Sequence, residues 1–261
     1  MDLVTQSQSQ TTASASRRVQ VLHKPVDLSS IGDLDVVSVL PSVPDWRDWF
    51  GTSRPHLAAD EPLARRAAYA RAMGDLAKFV LSHVKPGPGM TLTIASPLAL
   101  DGRSTVAANL ALACANQNKR VLLIDSDLHR HALDGLFTTS ARQLGISNVL
   151  TGSVYWRDLA VPLQFHPTLQ FMPAGTAGVG NDLPRAPLAD MLNEAKPFYD
   201  LILLDSAPLL QHTQTIDLVA ASDATLLLAR RSHTRQSELV SALGYLRRME
   251  ARVLAIALND A

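Results

Sequence analysis

Short apolar runs alternate with longer helical patterns along most of this 261-residue chain. The runs 90–95, 119–124, 168–172, 200–204, 224–229 and 252–258 show little internal alternation, the pattern of strands covered on both faces. Between them the spacing predicts helices near 104–117, 142–150, 187–196, 213–221 and 234–250. A further helix is predicted from Glu61 to Val84. Pro62 suits its first turn, Leu63, Ala67, Ala70, Met73, Leu76, Phe79 and Val80 recur at helical spacing, and Lys85-Pro86-Gly87-Pro88-Gly89 stops it. Strands alternating with helices imply right-handed crossovers. The predicted fold is therefore α/β: a doubly wound, mostly parallel sheet of about six to eight strands flanked by helices. Ligands in such sheets bind at the carboxyl ends of the strands.

The first sixty residues read differently. From Thr5 to Ser16, ten of twelve residues are Ser, Thr or Gln, too little apolar surface to offset the entropy of ordering. Residues 1–17 are predicted to be a disordered tail, residues 18–60 an irregular lead-in, and residues 61–261 the folded domain. Within the lead-in, Val19-Gln20-Val21-Leu22 alternates like a short strand and Asp35–Leu40 reads as another, while Pro25, Pro41, Pro44 and Pro55 interrupt it. Trp46, Trp49 and Phe50 cluster beside Pro44. Packing back onto the domain is the expected role of this cluster, with a partner-docking patch as the alternative.

Composition narrows the function. Hydrophobic residues are 47% and charged residues 18%, enough for a packed core. Lys+Arg and Asp+Glu both number 24, so bulk electrostatics supports neither nucleic-acid binding nor a polybasic membrane contact. The one cysteine, Cys114, excludes an intramolecular disulfide and any multi-cysteine zinc site, and its Ala/Leu surroundings mark it as a small core residue. No run approaches a membrane span of about 18–20 apolar residues, and the amino terminus lacks a basic and apolar leader pattern. The cytoplasm is the expected compartment.

Candidate chemistry gathers at three strand ends. The first strand runs into Ser96-Pro97-Leu98-Ala99-Leu100-Asp101-Gly102-Arg103-Ser104-Thr105 and then a helix, the context of a phosphate-binding loop. The strands Val121-Leu122-Leu123-Ile124 and Leu201-Ile202-Leu203-Leu204 end in Asp125-Ser126-Asp127 and Asp205-Ser206-Ala207-Pro208. A carboxylate at the top of a buried strand must be paired or metal-bound, and magnesium with a nucleotide supplies such a partner. The competing reading makes these residues helix caps.

These segments, in order, resemble the Walker A, Walker A′ and Walker B segments of bacterial tyrosine kinases. Those are P-loop proteins of the MinD/ParA-like superfamily that act in capsular and exopolysaccharide synthesis. Lys119–Arg130 and Tyr199–Pro208 carry the second and third segments; Gly145–Gly152 and Leu169–Gly175 fit as well. The resemblance runs from about residue 60 to the end. It implies ATP or ADP with Mg²⁺ as cofactors, Ser104, Asp125 and Asp205 about the metal, and Asp125 with Asp127 as catalytic residues. It further implies Asp101, Gly102, Arg103, Ser104 and Thr105 about the phosphates, with Thr105 on the α-phosphate, and Arg230 and Asn259 near the base or ribose. The implied partner is a membrane chain-length regulator (a polysaccharide co-polymerase) or another glycan-export component. The chain would then sit peripherally at the inner membrane, with homo-oligomers left open.

Departures from the family pattern predict weak or absent catalysis. Arg103 stands where the loop carries lysine, and a planar guanidinium does not replace a compact ammonium freely. Leu100 stands where glycine is expected, so a loop needing positive φ would be strained. No tyrosine-rich tail follows the last strand, and the acidic/arginine assembly motif is at best partial in Glu61, Arg65 and Arg66. Two other classes compete. A ParA/MinD-type positioning ATPase would carry a second lysine where Leu98 stands and a basic carboxyl-terminal helix; a non-catalytic scaffold of a glycan-export complex would need no ligand. His129 and His131 lack a third metal ligand and read as surface or phosphate-facing side chains, and Arg247, Arg248 and Arg252 as a solvated face.

Overall fold

The computed structural model describes residues 36–41, 63–137, 144–164, 166–176 and 183–260. The predicted tail, the Val19–Leu22 strand and the Trp46–Phe50 cluster lie outside those residues.

Among the described residues, eight strands form one sheet in the order β1-β8-β7-β2-β6-β3-β5-β4. They are β1 (Val36–Leu40), β2 (Met90–Ala95), β3 (Val121–Asp125), β4 (Val161–Leu163), β5 (His166–Met172), β6 (Leu201–Asp205), β7 (Ala224–Arg230) and β8 (Val253–Asn259). All neighbours pair in parallel except β4 with β5. The helices are α1 (Leu63–Ser82), α2 (Arg103–Ala115), α3 (Asp134–Phe137), α4 (Ile146–Leu150), α5 (Trp156–Leu159), α6 (Arg185–Ala195), α7 (Gln214–Ala221) and α8 (Gln236–Arg248).

The predicted doubly wound sheet is what the chain forms, because its central strands are mostly apolar and covered on both faces. Every residue of β2, β3 and β6 is buried. Along β6, Leu201 and Leu203 face the core shared with α1 and α2, whereas Ile202 and Leu204 face the core shared with α4, α6 and α7. A third core joins Leu227, Ala229, Ile256 and Leu258 to Leu239, Leu243 and Leu246 of α8. Cys114 is fully buried in the first of these cores, and burial pushes its thiol up to about 12.

The sheet reaches back beyond the predicted start at residue 61: β1, from the lead-in, pairs in parallel with β8. The β4–β5 hairpin escaped the pattern because β4 is three residues with Pro162 at its centre, a composition that suits only an edge. Among the described residues no helix is long and apolar enough to cross a membrane.

A cavity of about 630 Å³ opens at the amino ends of the strands, lined in part by His83, Lys85, Lys196, Asp223 and Arg252. It lies at the opposite end from the motif-bearing loops. Lys85 and Lys196 follow the carboxyl ends of α1 and α6, where a cation offsets the helix dipole and an anion is disfavoured.

Candidate functional site

Strand register creates the site. β2, β6 and β3 lie side by side, with Ile94 opposite Asp205 and Asp205 opposite Asp125, so the ends of three motif-bearing strands meet at one edge. The loop after β2 turns back at Gly102, whose φ of 94° suits glycine, and a Cβ there would lie 2.2 Å from Asn259 Nδ2. Gly102 also starts α2, and no side chain caps that helix. The first N–H groups of α2 therefore face the loop, the usual seat of a phosphate.

Leu100 adopts a φ of 67°, the left-handed conformation that its sequence position predicted to be strained. Its side chain is 60% exposed, so packing does not compensate. The loop is held from outside. Arg230 Nη1 donates to Leu100 O at 3.1 Å and Asn259 Nδ2 to Asp101 O at 3.0 Å. The fully buried Asp101 carboxylate accepts from Thr234 Oγ1 at 2.7 Å, His233 Nδ1 at 3.0 Å and Leu98 N at 3.1 Å. Asp101, Arg230 and Asn259, expected around the nucleotide, thus brace the loop itself. A strand-end position suggested proximity; only the tertiary contact reveals the acceptor.

Arg103 is 5% exposed and lies within the loop. Its Nε donates to Ser206 O at 2.8 Å, and its Nη1 to Leu98 O at 2.7 Å and to Ser96 Oγ. Nη2 stands 3.9 Å from Asp127 Oδ2. Burial lowers the pKa of Arg103, while the charges of Asp205, Asp127 and Asp101 pull it back up. Ser96 and Ser206, unremarkable in sequence, are the residues this reading missed; Ser206 contributes a carbonyl, which no residue type announces.

The carboxylates divide into two kinds. Asp125 accepts from Asp127 N at 3.1 Å and Leu133 N at 3.0 Å, so it shapes the chain that follows β3. Asp127 Oδ1 accepts from the backbones of His129 and Arg130 at 3.1 and 3.2 Å. Asp205 is fully buried, and neither of its oxygens accepts a hydrogen bond of ordinary geometry. Burial pushes it up to about 7; Arg103 and the nearby Ser104 hydroxyl oppose that rise and Asp127 adds to it. Burial and the charge of Asp205 likewise hold Asp125 well above the carboxylate range.

An orphaned hard oxygen donor beside a helix-start serine is the donor chemistry Mg²⁺ takes, so Ser104 and Asp205 fit that ion. Thr105 follows Ser104 in the first turn of α2, half-buried. The ring centroids of His129 and His212 are 4.1 Å apart, and His131 Nδ1 lies 3.3 Å from Asp134. Among the described residues no group of three metal-binding side chains forms. The two intervening stretches meet at close range: Gly145 packs where a Cβ would lie 2.2 Å from Pro173 O, and Ile146 N donates to the same carbonyl at 2.8 Å.

Residues 101–249 match the AAA_31 family model, described as an AAA domain. The chain belongs to that family. It is 27% identical over 192 residues to "Tyrosine-protein kinase ptk" of Acinetobacter johnsonii, covering 73% of this chain and 26% of that protein. It is 27% identical over 173 residues to "Succinoglycan biosynthesis transport protein ExoP" of Rhizobium meliloti (strain 1021), covering 64% and 22%. The chain thus spans about a quarter of the length of these curated relatives. Among solved structures, the kinase domain of Escherichia coli tyrosine kinase ETK superposes with a TM-score of 0.73 at 22% identity, covering 90% of this chain and 93% of that one. The septum site-determining protein MinD complexed with Mg-ADP, from Pyrococcus horikoshii OT3, gives 0.58 at 21% identity over 66% and 70%. At these identities the structures establish the fold alone: the doubly wound α/β architecture of that kinase domain and of that MinD protein.

Proposed function

We propose that this chain is a tyrosine-kinase-like P-loop component of bacterial exopolysaccharide or capsule synthesis and export, with weakened nucleotide chemistry. It acts through a membrane chain-length regulator or another glycan-export component, peripherally at the inner membrane. The names of its relatives, a tyrosine-protein kinase and a succinoglycan biosynthesis transport protein, support the process. One observation carries the molecular reading: the orphaned, buried Asp205 carboxylate lies beside Ser104 at the foot of a helix start left uncapped.

In this reading residues 61–261 bind ATP or ADP at the turn around Gly102. The first N–H groups of α2 and the Thr105 hydroxyl orient the phosphates, and Ser104 with Asp205 holds Mg²⁺. When bound, the ion neutralises phosphate charge. Asp125 positions the segment that carries Asp127, and Asp127 holds Arg103 and faces the phosphates. Two features weaken the site. Arg103 is engaged by loop carbonyls instead of reaching outward, and Leu100 sits in a conformation that favours glycine. The kinase-type reading is preferred over a positioning ATPase, because the tyrosine-kinase domain covers more of the chain and Leu98 replaces the second lysine.

Isothermal titration with Mg-ATP and Mg-ADP tests this directly. The wild-type chain is expected to bind weakly and turn over little, and Arg103→Lys with Leu100→Gly to bind at least about tenfold more tightly, a gain of about 1.4 kcal/mol. Tight wild-type binding with steady turnover overturns the weakened-site reading, and no binding by any variant overturns the nucleotide reading. Cosedimentation with membranes that contain or lack the chain-length regulator tests the partner.

A further inference from the structure

The candidate site already contains a cation on the chain itself. The Arg103 guanidinium bonds to Ser96 at the end of β2, to Leu98 in the loop and to Ser206 after β6, and it faces Asp127 after β3. One side chain therefore ties together the carboxyl ends of three adjacent strands. We propose that Arg103 is the resident cation of this loop. It supplies in the carboxylate field the positive charge that a phosphate-binding lysine would otherwise bring, and its fork holds the three strand ends in one arrangement. The proposal rests on the nucleotide-site reading above and specifies how that site is regulated: ligand must displace an internal competitor.

Three observations support it. The first is the charge balance. Arg103 is flanked by Asp101, Asp127 and Asp205, with the like charge of Arg130 opposing them; Asp101 is already satisfied by Thr234 and His233, which leaves Asp127 and Asp205 as the carboxylates the buried guanidinium faces. Of the charged groups that shift Asp205, Arg103 is the cation and Asp127 the like charge.

Geometry is the second. Nε and Nη1 point to acceptors on different segments, a fork that an ammonium on a flexible stem does not reproduce.

The third is Leu100. A non-glycine residue in the left-handed region persists only where its surroundings over-determine it. Here Arg103 holds the inner side of the loop, and Arg230 and Asn259 the outer side.

Thermal unfolding of the whole chain, with and without Mg²⁺ and with and without methylguanidinium at millimolar concentration, tests the proposal. The wild-type midpoint is expected to respond to neither cation. Arg103→Ala is expected to unfold at lower temperature and to recover a large part of the loss in either cation, since it leaves buried carboxylates without a counter-charge. An Arg103→Ala chain as stable as wild type and indifferent to both cations overturns the proposal, as does a wild-type midpoint raised by Mg²⁺ alone.

Arg103→Lys supplies a readout if the alanine variant does not fold. Amides 98–103 should exchange at least about tenfold faster than in the wild type, and unchanged protection there overturns the resident-cation role. The two readings separate cleanly. If methylguanidinium rescues Arg103→Ala while no lysine variant binds Mg-ADP, the resident cation stands and the nucleotide reading falls. If the wild type binds Mg-ADP tightly with its loop protection unchanged, the reverse holds.

Discussion

The two ends of the sheet use the same residue types under opposite physical conditions. At the carboxyl edge, Arg103 and Asp127 have side chains 4% and 2% exposed, and Asp205 and Asp125 lie beside them in adjacent strands. At the amino edge, Arg120 and Asp200 form a 3.2 Å ion pair with side chains 55% and 32% exposed, and Lys196 holds Asp223 at 2.8 Å. Water screens the Arg120–Asp200 pair, so it contributes little, and Asp223 shares its charge with Thr91 as well as Lys196. The first set has lost its water and must be satisfied by geometry, which makes each charge there costly to leave alone. The pKa directions record the contrast: Asp125 and Asp205 are raised, whereas Asp200 and Asp223 are lowered.

pH breaks the comparison most strongly. Asp205 is raised from 3.8 to about 7 in the folded chain, so the folded state favours its protonated form. That stability is fully present below the unfolded value and is lost as pH rises through the folded one. About three pKa steps correspond to roughly 4 kcal/mol at most. Urea unfolding should therefore show the protein less stable at pH 7.5 than at pH 5, and Asp205→Asn should reduce that slope, leaving the part that buried Asp125 contributes. The lowered carboxyls of the amino edge act in the other direction, stabilising above 3.8 and losing that contribution as pH falls below it.

Gly102→Ala comes next. The new methyl would meet Asn259 Nδ2 at 2.2 Å, break its bond to Asp101 O and force alanine to a φ of 94°. A loss of about 2–3 kcal/mol is expected by denaturant titration. Leu100→Gly should act in the opposite sense, gaining about 0.5–1 kcal/mol as relief of the left-handed strain exceeds the added chain entropy. At the amino edge, Arg120→Ala should cost under about 1 kcal/mol, and salt should shrink the difference further.

Much of the fold was legible because its signal is local. Six strands and the longer helices follow from runs and periodicities that a chain displays before it folds, and β1 is foreshadowed at Asp35–Leu40. The short α3 and α5, four residues each, and the three-residue β4 fall below any periodicity. The candidate site was legible in outline. An aspartate ending an all-apolar strand has few explanations, and Leu100 in place of glycine foretold the positive φ found there.

The amino-acid sequence by itself determined the layered α/β architecture, the loop with its adjoining helix start, and the placing of Asp125 and Asp205 at strand ends. Each of these depends on residues close together in the chain. Only the tertiary structure decided that Arg103 would fold inward onto Leu98 and Ser206, that Asn259 and Arg230 would grip the loop, and that the Asp205 oxygens would be buried without a hydrogen bond of ordinary geometry. Those outcomes depend on which strands become neighbours and on how water is excluded between them, and neither quantity is written in any local stretch of residues.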